Sequence, residues 1–498
     1  MKKIKKMLPI LLLGFAFVTI IFSFRDNPFS KVLSGHDSSM FLYFGKGISS
    51  GLVPYRDMLD HKGPVLFMLE YLAVLIGLGN IHLGIWLIEC IFLLGTLFFL
   101  YRSNCIYTRD KIISALTLLF LTPLFIICYE GGNLSEEYAL LFISISFYLF
   151  SQIIVEKRIS QVYYVLIGFL GAATFFIRLN MITVWGVYCL FLVYLGIKEK
   201  NFKQIFQQAR GIFLGGISFV LFIVLVSLYQ GNFKEMIQQA FLMNILYADT
   251  LLSERIQTAF DFIDLLLRTG IFPIIIIYFI SFLNIQNRAI KRTHIPVIIF
   301  LVLNFLTVIL SGRFYKHYLT TEIVSLSVIV SFSIQFILLK INGEIRRLVS
   351  LVLILIIAFP AGYEALKNHN LSFSKYESTN QQEIESLSKY IKKNSSVDDK
   401  IYVHNLDANI YLLSERYSNS RFFVIPAVNY DNFPELKREF KRDLNFKSPK
   451  FIVLSRDFSA NPNASSNLNI FISEVIKEKY HLISPIKSEN FLTYEINN

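Results

Sequence analysis

The sequence predicts an α-helical polytopic membrane protein with a small α/β domain at its C-terminal end. Hydrophobic residues make up 54% of the 498 residues, and the mean hydropathy of +0.52 exceeds that of soluble globular domains. Apolar runs long enough to cross a hydrocarbon core recur between Leu8 and Pro360. After Pro360 the composition becomes charged and polar, and strand-like runs alternate with helix-like runs.

The distribution of lysine and arginine predicts the membrane topology. Four lysines precede the first apolar run, which places the N-terminus in the cytoplasm. The net charge of +12 lies in short clusters between apolar runs, which indicates topology rather than nucleic-acid binding. The short run 65–78 carries Glu70, so we expect a juxtamembrane or re-entrant helix there. About eleven spans remain, and an odd number places the C-terminus outside; they lie near residues 8–24, 83–101, 112–129, 138–155, 162–177, 180–197, 211–229, 269–284, 295–311, 318–339 and 348–363.

The outer face receives the most polar segments of the N-terminal region. Residues 35–64, which read GHDSSMFLYFGKGISSGLVPYRDMLDHKGP, form the first of them. Segments 130–137, 178–180, 229–268 and 312–318 reach the same face. Ionisable groups beside a bilayer cost free energy unless they are paired or hydrated. Their convergence predicts an extracytoplasmic active site rather than a transport path.

We predict two domains. Residues 1–364 form the transmembrane domain, with a first outer loop at 25–64, and residues 365–498 form an extracytoplasmic α/β domain. Thr379, with Gln382 three residues later, predicts a helix that continues to about residue 393. Predicted strands at 400–405, 421–425 and 450–456 alternate with helical stretches, which favours a mainly parallel sheet. Without a Gly-rich phosphate loop or a GxSxG motif, this domain is assigned no catalysis, and acceptor recognition and structural capping both stay open.

The first outer segment resembles the GT-C superfamily of membrane glycosyltransferases. An early acid, Asp37, followed by GLVPYRDMLDHKGP, is similar to bacterial relatives of the protein O-mannosyltransferases and of the lipid A aminoarabinose transferase. The resemblance implies a GT-C-like helical domain, an extracytoplasmic C-terminal domain, and sugar transfer from a polyprenyl-phosphate carrier. Many relatives have Lys-Pro-Pro where this chain has Lys62-Gly63-Pro64, and an Asp-Glu pair where it has His36-Asp37. Subfamily and acceptor therefore stay open.

The resemblance implies roles for two residues of this segment. Asp37 matches the family's catalytic acid, a general base that deprotonates the acceptor hydroxyl as its oxygen attacks the anomeric carbon, and a single displacement of this kind inverts that carbon. The alternative is that Asp37 caps a helix starting near Ser38. Lys62 matches a lysine that holds the carrier phosphate, where a cation stabilises the departing group. The alternative is a lysine that snorkels to the interface.

Further residues are candidates for the same site. Arg178 and Arg313 can bind the donor phosphate in bidentate fashion, although interfacial anchoring would also explain them. In the family a second acid lies in the second outer loop, and either Glu136 or Glu137 matches it, although both can also stabilise a helix start. A weaker group comprises these two glutamates together with His36, Tyr55, Asp57, Asp60, His61, His317 and Tyr318. Asp57 and Asp60, three residues apart, would share one face of a helical turn, with Arg56 able to neutralise one of them.

The predicted function is that of an inverting glycosyltransferase, which moves a sugar from a polyprenyl-phosphate carrier to a hydroxyl acceptor on the outer face. The acceptor is a cell-surface polysaccharide, a glycolipid or a protein, membrane lipids are partners, and no nucleic-acid partner is expected. A lipid-linked oligosaccharide flippase and a surface-polysaccharide polymerase are the alternatives. Transporters usually show internal repeats and broken segments at the midplane, which this sequence lacks. No cofactor is certain, and a divalent cation is conceivable although DxD and HExxH spacings are absent.

Overall fold

The computed structural model describes residues 2–244, 250–340, 359–360, 362–363, 365–366, 379–404, 406–425, 430–456, 466–483 and 488–497. Contacts divide the chain into two units, of which the first comprises Met1–Asn27, Trp86–Val226 and Ala248–Ser372. The second unit comprises Pro28–Ile85, Ser227–Tyr247 and Phe373–Asn498. It therefore combines most of the first outer segment with the C-terminal region. The domain boundary after residue 364 stays a prediction.

Most of the described chain is helical. The α-helices are, in chain order, α1 (Lys2–Ile21), α2 (His36–Ser49), α3 (Pro64–Ile76), α4 (Ile81–Thr108), α5 (Lys111–Tyr129), α6 (Ser135–Ile154), α7 (Gln161–Phe175), α8 (Thr183–Lys198), α9 (Phe202–Gln230), α10 (Phe233–Ile237), α11 (Leu252–Arg268), α12 (Ile271–Leu283), α13 (Arg288–Ile309), α14 (Ile323–Lys340), α15 (Thr379–Lys393), α16 (Asn409–Ser414), α17 (Pro434–Phe446) and α18 (Ser466–Lys479).

Seven helical segments among the described residues are long and apolar enough to span a membrane, which makes the chain a multi-pass membrane protein. They are Ile81–Thr108, Lys111–Tyr129, Ser135–Ile154, Leu179–Lys198, Phe202–Gln230, Arg288–Ile309 and Lys316–Leu339. Helices α11 and α12 meet at 86° and give an eighth span if they are counted as one.

The other predicted spans differ from this set for physical reasons. Predicted spans 8–24 and 162–177 correspond to the shorter apolar helices Met7–Ile21 and Gln161–Phe175. At about 1.5 Å per residue, fifteen helical residues cover roughly 22 Å of a core about 30 Å thick. Predicted span 348–363 lies mostly outside the described residues. The 13-residue helix α3 has the short length expected of the juxtamembrane run 65–78.

In the first unit, small residues allow two helices to approach closely. A Cβ atom added to Gly168 of α7 would lie 1.9 Å from the Ile212 carbonyl oxygen, and one added to Gly215 of α9 would lie 1.9 Å from the Val165 carbonyl oxygen. Gly211 and Gly215 have the small-xxx-small spacing that favours close helix packing in membranes. Backbone contact of this kind replaces the hydrophobic driving force that is missing between lipid-exposed helices.

In the second unit, α2 packs against α3 through aromatic rings and one glycine. Phe44 of α2 stacks on Phe67 of α3 with 3.8 Å between ring centroids. A Cβ atom added to Gly45 would lie 2.6 Å from the backbone oxygen of Glu70. Because Asp37 lies in the first turn of α2 and Lys62 just precedes α3, this helix contact positions both predicted site residues.

The C-terminal region contains a four-stranded sheet in the described residues, with strand order β1-β2-β4-β3. The strands are β1 (Ile401–His404), β2 (Phe451–Ser455), β3 (Tyr480–Ile483) and β4 (Phe491–Ile496). Strands β1 and β2 are parallel, whereas β4 runs antiparallel to both β2 and β3. The prediction of a mainly parallel sheet is therefore wrong. Strands β3 and β4 are separated by a short connection, which permits a hairpin and excludes a crossover.

The predicted strand 421–425 is also wrong. Phe422 and Phe423 are buried, but the segment forms no strand. The Arg421 carbonyl oxygen accepts a hydrogen bond from Leu59 N at 2.8 Å, and the Phe423 ring stacks on Tyr43 at 4.1 Å. A short buried apolar run does not by itself distinguish a strand from a buried loop. Here the run is buried by the first outer segment, while helix α15 forms as predicted.

The close approach at Gly45 makes a testable prediction. Gly45→Ala places a methyl group against the Glu70 backbone, and such overpacking costs about 1–3 kcal/mol. Gly186→Ala in α8 is the matched control, because an added Cβ there has no heavy atom within 4 Å and alanine favours helix. We expect a lower melting temperature for the detergent-purified Gly45 variant and an unchanged or higher one for the Gly186 variant. Equal shifts in both would contradict the packing described here.

Candidate active site

Asp37 lies in the first turn of α2. Gly35 occupies the N-cap position, and the helix begins at His36, so Asp37 is not the N-cap residue. An acid in the first turn is stabilised by the positive end of the helix dipole. The side chain is partly exposed, as a base that meets a substrate requires, and His36 beside it is exposed.

The C-terminal region holds this helix start in place. Ala408 N donates to Ser39 Oγ at 3.0 Å, and Asn409 Nδ2 donates to the Ser34 carbonyl oxygen at 3.0 Å. These bonds flank Asp37 on both sides along the chain. The backbone that carries Asp37 is therefore fixed by residues 369 and 375 positions away from their partners in sequence.

Lys62 is a buried cation, with 6% of its surface exposed. Its Nζ atom lies 3.2 Å from His61 Nε2 and 5.8 Å from the centroid of the Phe41 ring. Within the described part of the chain, no carboxylate lies within the 4.0 Å ion-pair distance of Nζ. A snorkelling lysine keeps its ammonium in water, which this burial does not match. A buried ammonium without a paired carboxylate favours the binding of an anion.

Asp60 is buried beside Lys62, with 3% exposed. Its Oδ1 accepts a hydrogen bond from the Lys62 backbone N–H at 2.8 Å and lies 3.7 Å from His61 Nδ1. Burial raises the pKa of Asp60, the positive charge of Lys62 opposes this shift, and the negative charge of Asp37 adds to it. Asp37, Asp60 and Lys62 are thus electrostatically connected.

Tyr55 and Asp57 have structural contacts. Tyr55 is fully buried with a φ of 67°, and its hydroxyl donates to the Lys62 carbonyl oxygen at 2.7 Å. Asp57 accepts hydrogen bonds from Arg56 and from the Val53 backbone, which lower its pKa despite partial burial. Asp57 and Asp60 therefore have different environments and do not share a helical face.

The turn at residues 130–133 belongs to the first unit and has an unusual backbone. Glu130, Gly131, Gly132 and Asn133 all have positive φ, between 47° and 99°. The Asn133 N–H donates to Glu89 Oε1 at 2.6 Å and to Glu137 Oε2 at 3.1 Å. Such strained backbone persists only where its surroundings hold it. Glu89 and Glu137 supply that support here.

Glu136 and Glu137 face different partners. Glu136 is buried, forms an ion pair with Arg178, and accepts a hydrogen bond from Ser135 Oγ at 2.8 Å. The Arg178 guanidinium lies over the Tyr318 ring at 4.6 Å. The structure thus brings Glu136, Arg178 and Tyr318 together, whereas Glu137 holds the turn.

His317 pairs with an acid that the sequence did not suggest. Its Nδ1 lies 2.6 Å from Glu130 Oε2, and Tyr315 stacks on its ring at 5.4 Å. Arg313 precedes this group, directly after Gly312 with its positive φ of 64°, and its side chain is half-buried. Sequence reasoning did not identify Glu130 or Glu89 as candidate site residues. A single acid at the end of a membrane span, or within one, is also found at interfaces and in protein interiors without a functional role.

The described residues contain no group of three or more histidine, cysteine, aspartate or glutamate side chains arranged to hold a metal ion. No described residue is therefore assigned to a metal, and the divalent cation considered from the sequence stays untested.

The fold is similar to that of solved membrane glycosyltransferases. The crystal structure of ArnT from Cupriavidus metallidurans bound to undecaprenyl phosphate aligns with a TM-score of 0.61 at 12% sequence identity, and 97% of each chain is covered. The same protein in the apo state aligns with a TM-score of 0.62 at 13% identity, with the same coverage. ArnT has the GT-C fold, so the predicted fold class is confirmed. A comparison with curated proteins gives no match.

Sequence families account for nearly the whole chain. Residues 381–497 match the putative competence-induced protein Ccs4 C-terminal domain. Residues 1–350 match the putative competence-induced protein Ccs4 N-terminal domain. The chain, which has the ArnT-like fold, therefore belongs to the Ccs4 family of putative competence-induced proteins.

Proposed function

We propose that this protein is an inverting glycosyltransferase that moves a sugar from a polyprenyl-phosphate carrier to a hydroxyl acceptor. The observation that carries the proposal is Lys62, a buried ammonium without a carboxylate ion pair in the described residues, in the same unit as Asp37. The solved ArnT bound to undecaprenyl phosphate supports a lipid phosphate as the missing anion. We place the N-terminus in the cytoplasm and the site on the outer face, as the lysine distribution predicts.

The proposed reaction is a single displacement. The acceptor oxygen forms a bond to the anomeric carbon while the bond between that carbon and the phosphate oxygen breaks. Asp37 takes the acceptor's proton, and the phosphate leaves with the bonding electron pair. Negative charge grows on the leaving phosphate, and Lys62, fixed in a water-poor site, stabilises it most in the transition state.

The contacts of Lys62 explain how it is held for this role. Tyr55 binds the Lys62 carbonyl oxygen and Asp60 binds its N–H, so the backbone is fixed from both sides. Neither contact occupies the ammonium group. A preorganised cation of this kind needs no reorganisation when the phosphate departs.

Arg178 and Arg313 belong to the first unit, and their binding of the donor phosphate stays a prediction from the sequence. Glu136 already pairs with Arg178, which reduces the net charge that Arg178 presents. We therefore assign the electrostatic stabilisation of the leaving phosphate to Lys62. Glu136, rather than Glu137, is the proposed second acid, because it contacts the phosphate-binding arginine.

The base assignment predicts a rate defect. Asp37→Asn removes the proton acceptor but keeps the size of the side chain, so transfer should slow by about 10²- to 10⁴-fold. The measurement is transfer from a panel of radiolabelled polyprenyl-phosphate sugars by purified protein. Asp398→Asn, which changes an exposed acid in the same unit, is the control and should be fully active. Full activity of Asp37→Asn would remove Asp37 from this role. A wild type inactive with every donor would favour the flippase or polymerase alternative.

Lys62→Gln should weaken the use of the donor. Loss of one charged contact to the phosphate should lower kcat/KM for the donor by about 10- to 100-fold. Binding of undecaprenyl phosphate to the detergent-purified protein should weaken in parallel. Lys393→Gln, at an exposed lysine, is the matched control and should change neither quantity. Wild-type affinity in Lys62→Gln would show that the phosphate binds elsewhere.

The two neighbouring aspartates predict opposite pH effects on stability. The pKa of Asp60 is raised in the folded protein, so its protonated form stabilises the fold. This contribution is complete below the pKa of an unfolded aspartate, about 3.9, and is lost as pH rises through the raised pKa of the folded state. Asp60→Asn keeps the oxygen that accepts from Lys62 N, so its melting temperature relative to wild type should be higher at pH 7 than at pH 4.

Asp57 provides the opposite case. The pKa of Asp57 is lowered in the folded protein, so its ionised form stabilises the fold. This contribution is complete above the pKa of an unfolded aspartate, about 3.9, and is lost as pH falls through the lowered pKa of the folded state. Asp57→Asn should therefore lower the melting temperature more at pH 7 than at pH 3. Both series are measured by thermal unfolding, and the same sign for both variants would contradict the environments described here.

A further inference from the structure

The second unit contains a polar cavity that the proposed reaction does not use. Its volume is about 260 Å³, and it lies between the C-terminal end of α2, the α3–α4 turn and the segment that follows α16. Lys46, Ser49 and Ser50 line it from α2 and the residue after that helix, and Glu415, Arg416 and Tyr417 line it from the C-terminal region. Both sides belong to the same unit.

The cavity is positively charged. Arg416 is 5% exposed, and its guanidinium donates only to Ser395 Oγ and to backbone carbonyl oxygens, with no carboxylate within 4.0 Å in the described part of the chain. Glu415 is engaged with Lys392, at 2.7 Å. All five N–H donors of Arg416 are therefore engaged, so this side chain contributes positive charge to the cavity wall but no free donor.

Lys46 adds a second cation. Burial lowers the pKa of Lys46, the negative charge of Glu415 opposes the shift, and Lys392 adds to it. In the described residues, Lys46 Nζ has no hydrogen bond or ion pair. An anion bound by the Lys46 ammonium would compensate its charge and would also be attracted by the positive charge of Arg416.

The remaining wall suits a hydroxylated ligand. Ser50 Oγ lies 2.6 Å from the Tyr417 hydroxyl, and that hydroxyl also lies 3.1 Å from the Lys46 carbonyl oxygen. The ring of Tyr43 lies 5.7 Å from that of Tyr417. Hydroxyl groups beside aromatic faces are adaptable partners for a polyol that has both C–H and O–H surfaces.

The cavity and Asp37 lie at opposite ends of α2. Nine residues separate Asp37 from Lys46, which corresponds to about 14 Å along a helix. A group bound at Lys46 is thus too distant to be the reacting hydroxyl. It is close enough to belong to the same extended acceptor molecule.

We propose that this cavity binds the phosphate group of a sugar or polyol phosphate at the Lys46 ammonium, beside the positive charge of Arg416, as an anchoring site for the acceptor. Its identity as an acceptor site rests on the proposed function, whereas anion binding does not. The same chemistry is found in two sources, a phosphate-bearing glycan or polyol polymer and the headgroup of an anionic lipid such as phosphatidylglycerol.

The test measures protection of the Lys46 amine in protein reconstituted in phosphatidylcholine nanodiscs. Acylation of individual lysines is followed by mass spectrometry with and without glycerol 3-phosphate, and uncharged glycerol is the matched probe. We expect glycerol 3-phosphate to slow acylation of Lys46 and to leave the exposed Lys389 unchanged. Titration calorimetry with the same probe should give a Kd about tenfold or more weaker for Lys46→Gln than for Lys389→Gln, since one charged contact is lost.

A second arm separates the two sources. If phosphatidylglycerol nanodiscs protect Lys46 without added solute, and soluble glycerol 3-phosphate does not, the ligand is a lipid headgroup. Protection by the soluble probe in phosphatidylcholine supports a polymer or glycolipid acceptor. Equal protection by glycerol, or no protection by any anionic probe, would overturn the anion site.

The proposed function and this inference fail separately. The protection assay involves no sugar transfer, and Asp37→Asn protein should show the same protection as wild type. Protection without transferase activity would leave the anion site standing and remove only the acceptor assignment.

Discussion

The burial of the Lys62 ammonium is the constraint on which the second unit depends. An isolated buried charge costs several kcal/mol, so the surrounding structure must hold it and something must compensate it. Asp60 and Tyr55 hold the Lys62 backbone, and α3 starts directly afterwards, packed on α2 through Phe44 and Phe67. The position of the cation is therefore fixed by packing, and its charge is available to a ligand.

The same packing changes the interpretation of the C-terminal region. Leu59 of the first outer segment is part of the hydrophobic core that contains Phe422 and Ile452, and Tyr43 stacks on Phe423. Two hydrogen bonds from Ala408 and Asn409 fix the start of α2. Without these contacts, the helix that carries Asp37 would lose the hydrogen bonds at its start and the ring contact between Tyr43 and Phe423. The C-terminal region is thus a structural part of the site, and a role in acceptor binding is compatible with that position.

Sequence reasoning could predict the polar segments that carry the candidate residues, because charge next to apolar runs is a strong local signal. Lys62 and Asp37 were identifiable in this way, with the family resemblance assigning their roles. Glu89 and Arg416 were not, because their significance depends on partners 44 and about 20 residues away that only the fold supplies. The strand predicted at 421–425 failed for the same reason: this apolar run is buried by Tyr43 and Leu59, which are distant in sequence.

The neighbouring acids Glu136 and Glu137 show what the fold adds to such a signal. Both are buried in the first turn of α6, and the sequence treats them as equivalent. Successive helical residues point about 100° apart, so their side chains meet different surroundings. Glu137 turns back to the Asn133 N–H, which Glu89 also binds, whereas Glu136 meets Arg178 over the Tyr318 ring. Glu89 and Glu137 hold the strained turn that precedes α6, and Glu136 at the start of α6 pairs with Arg178, so the turn and this ion pair form a single structural element of the first unit.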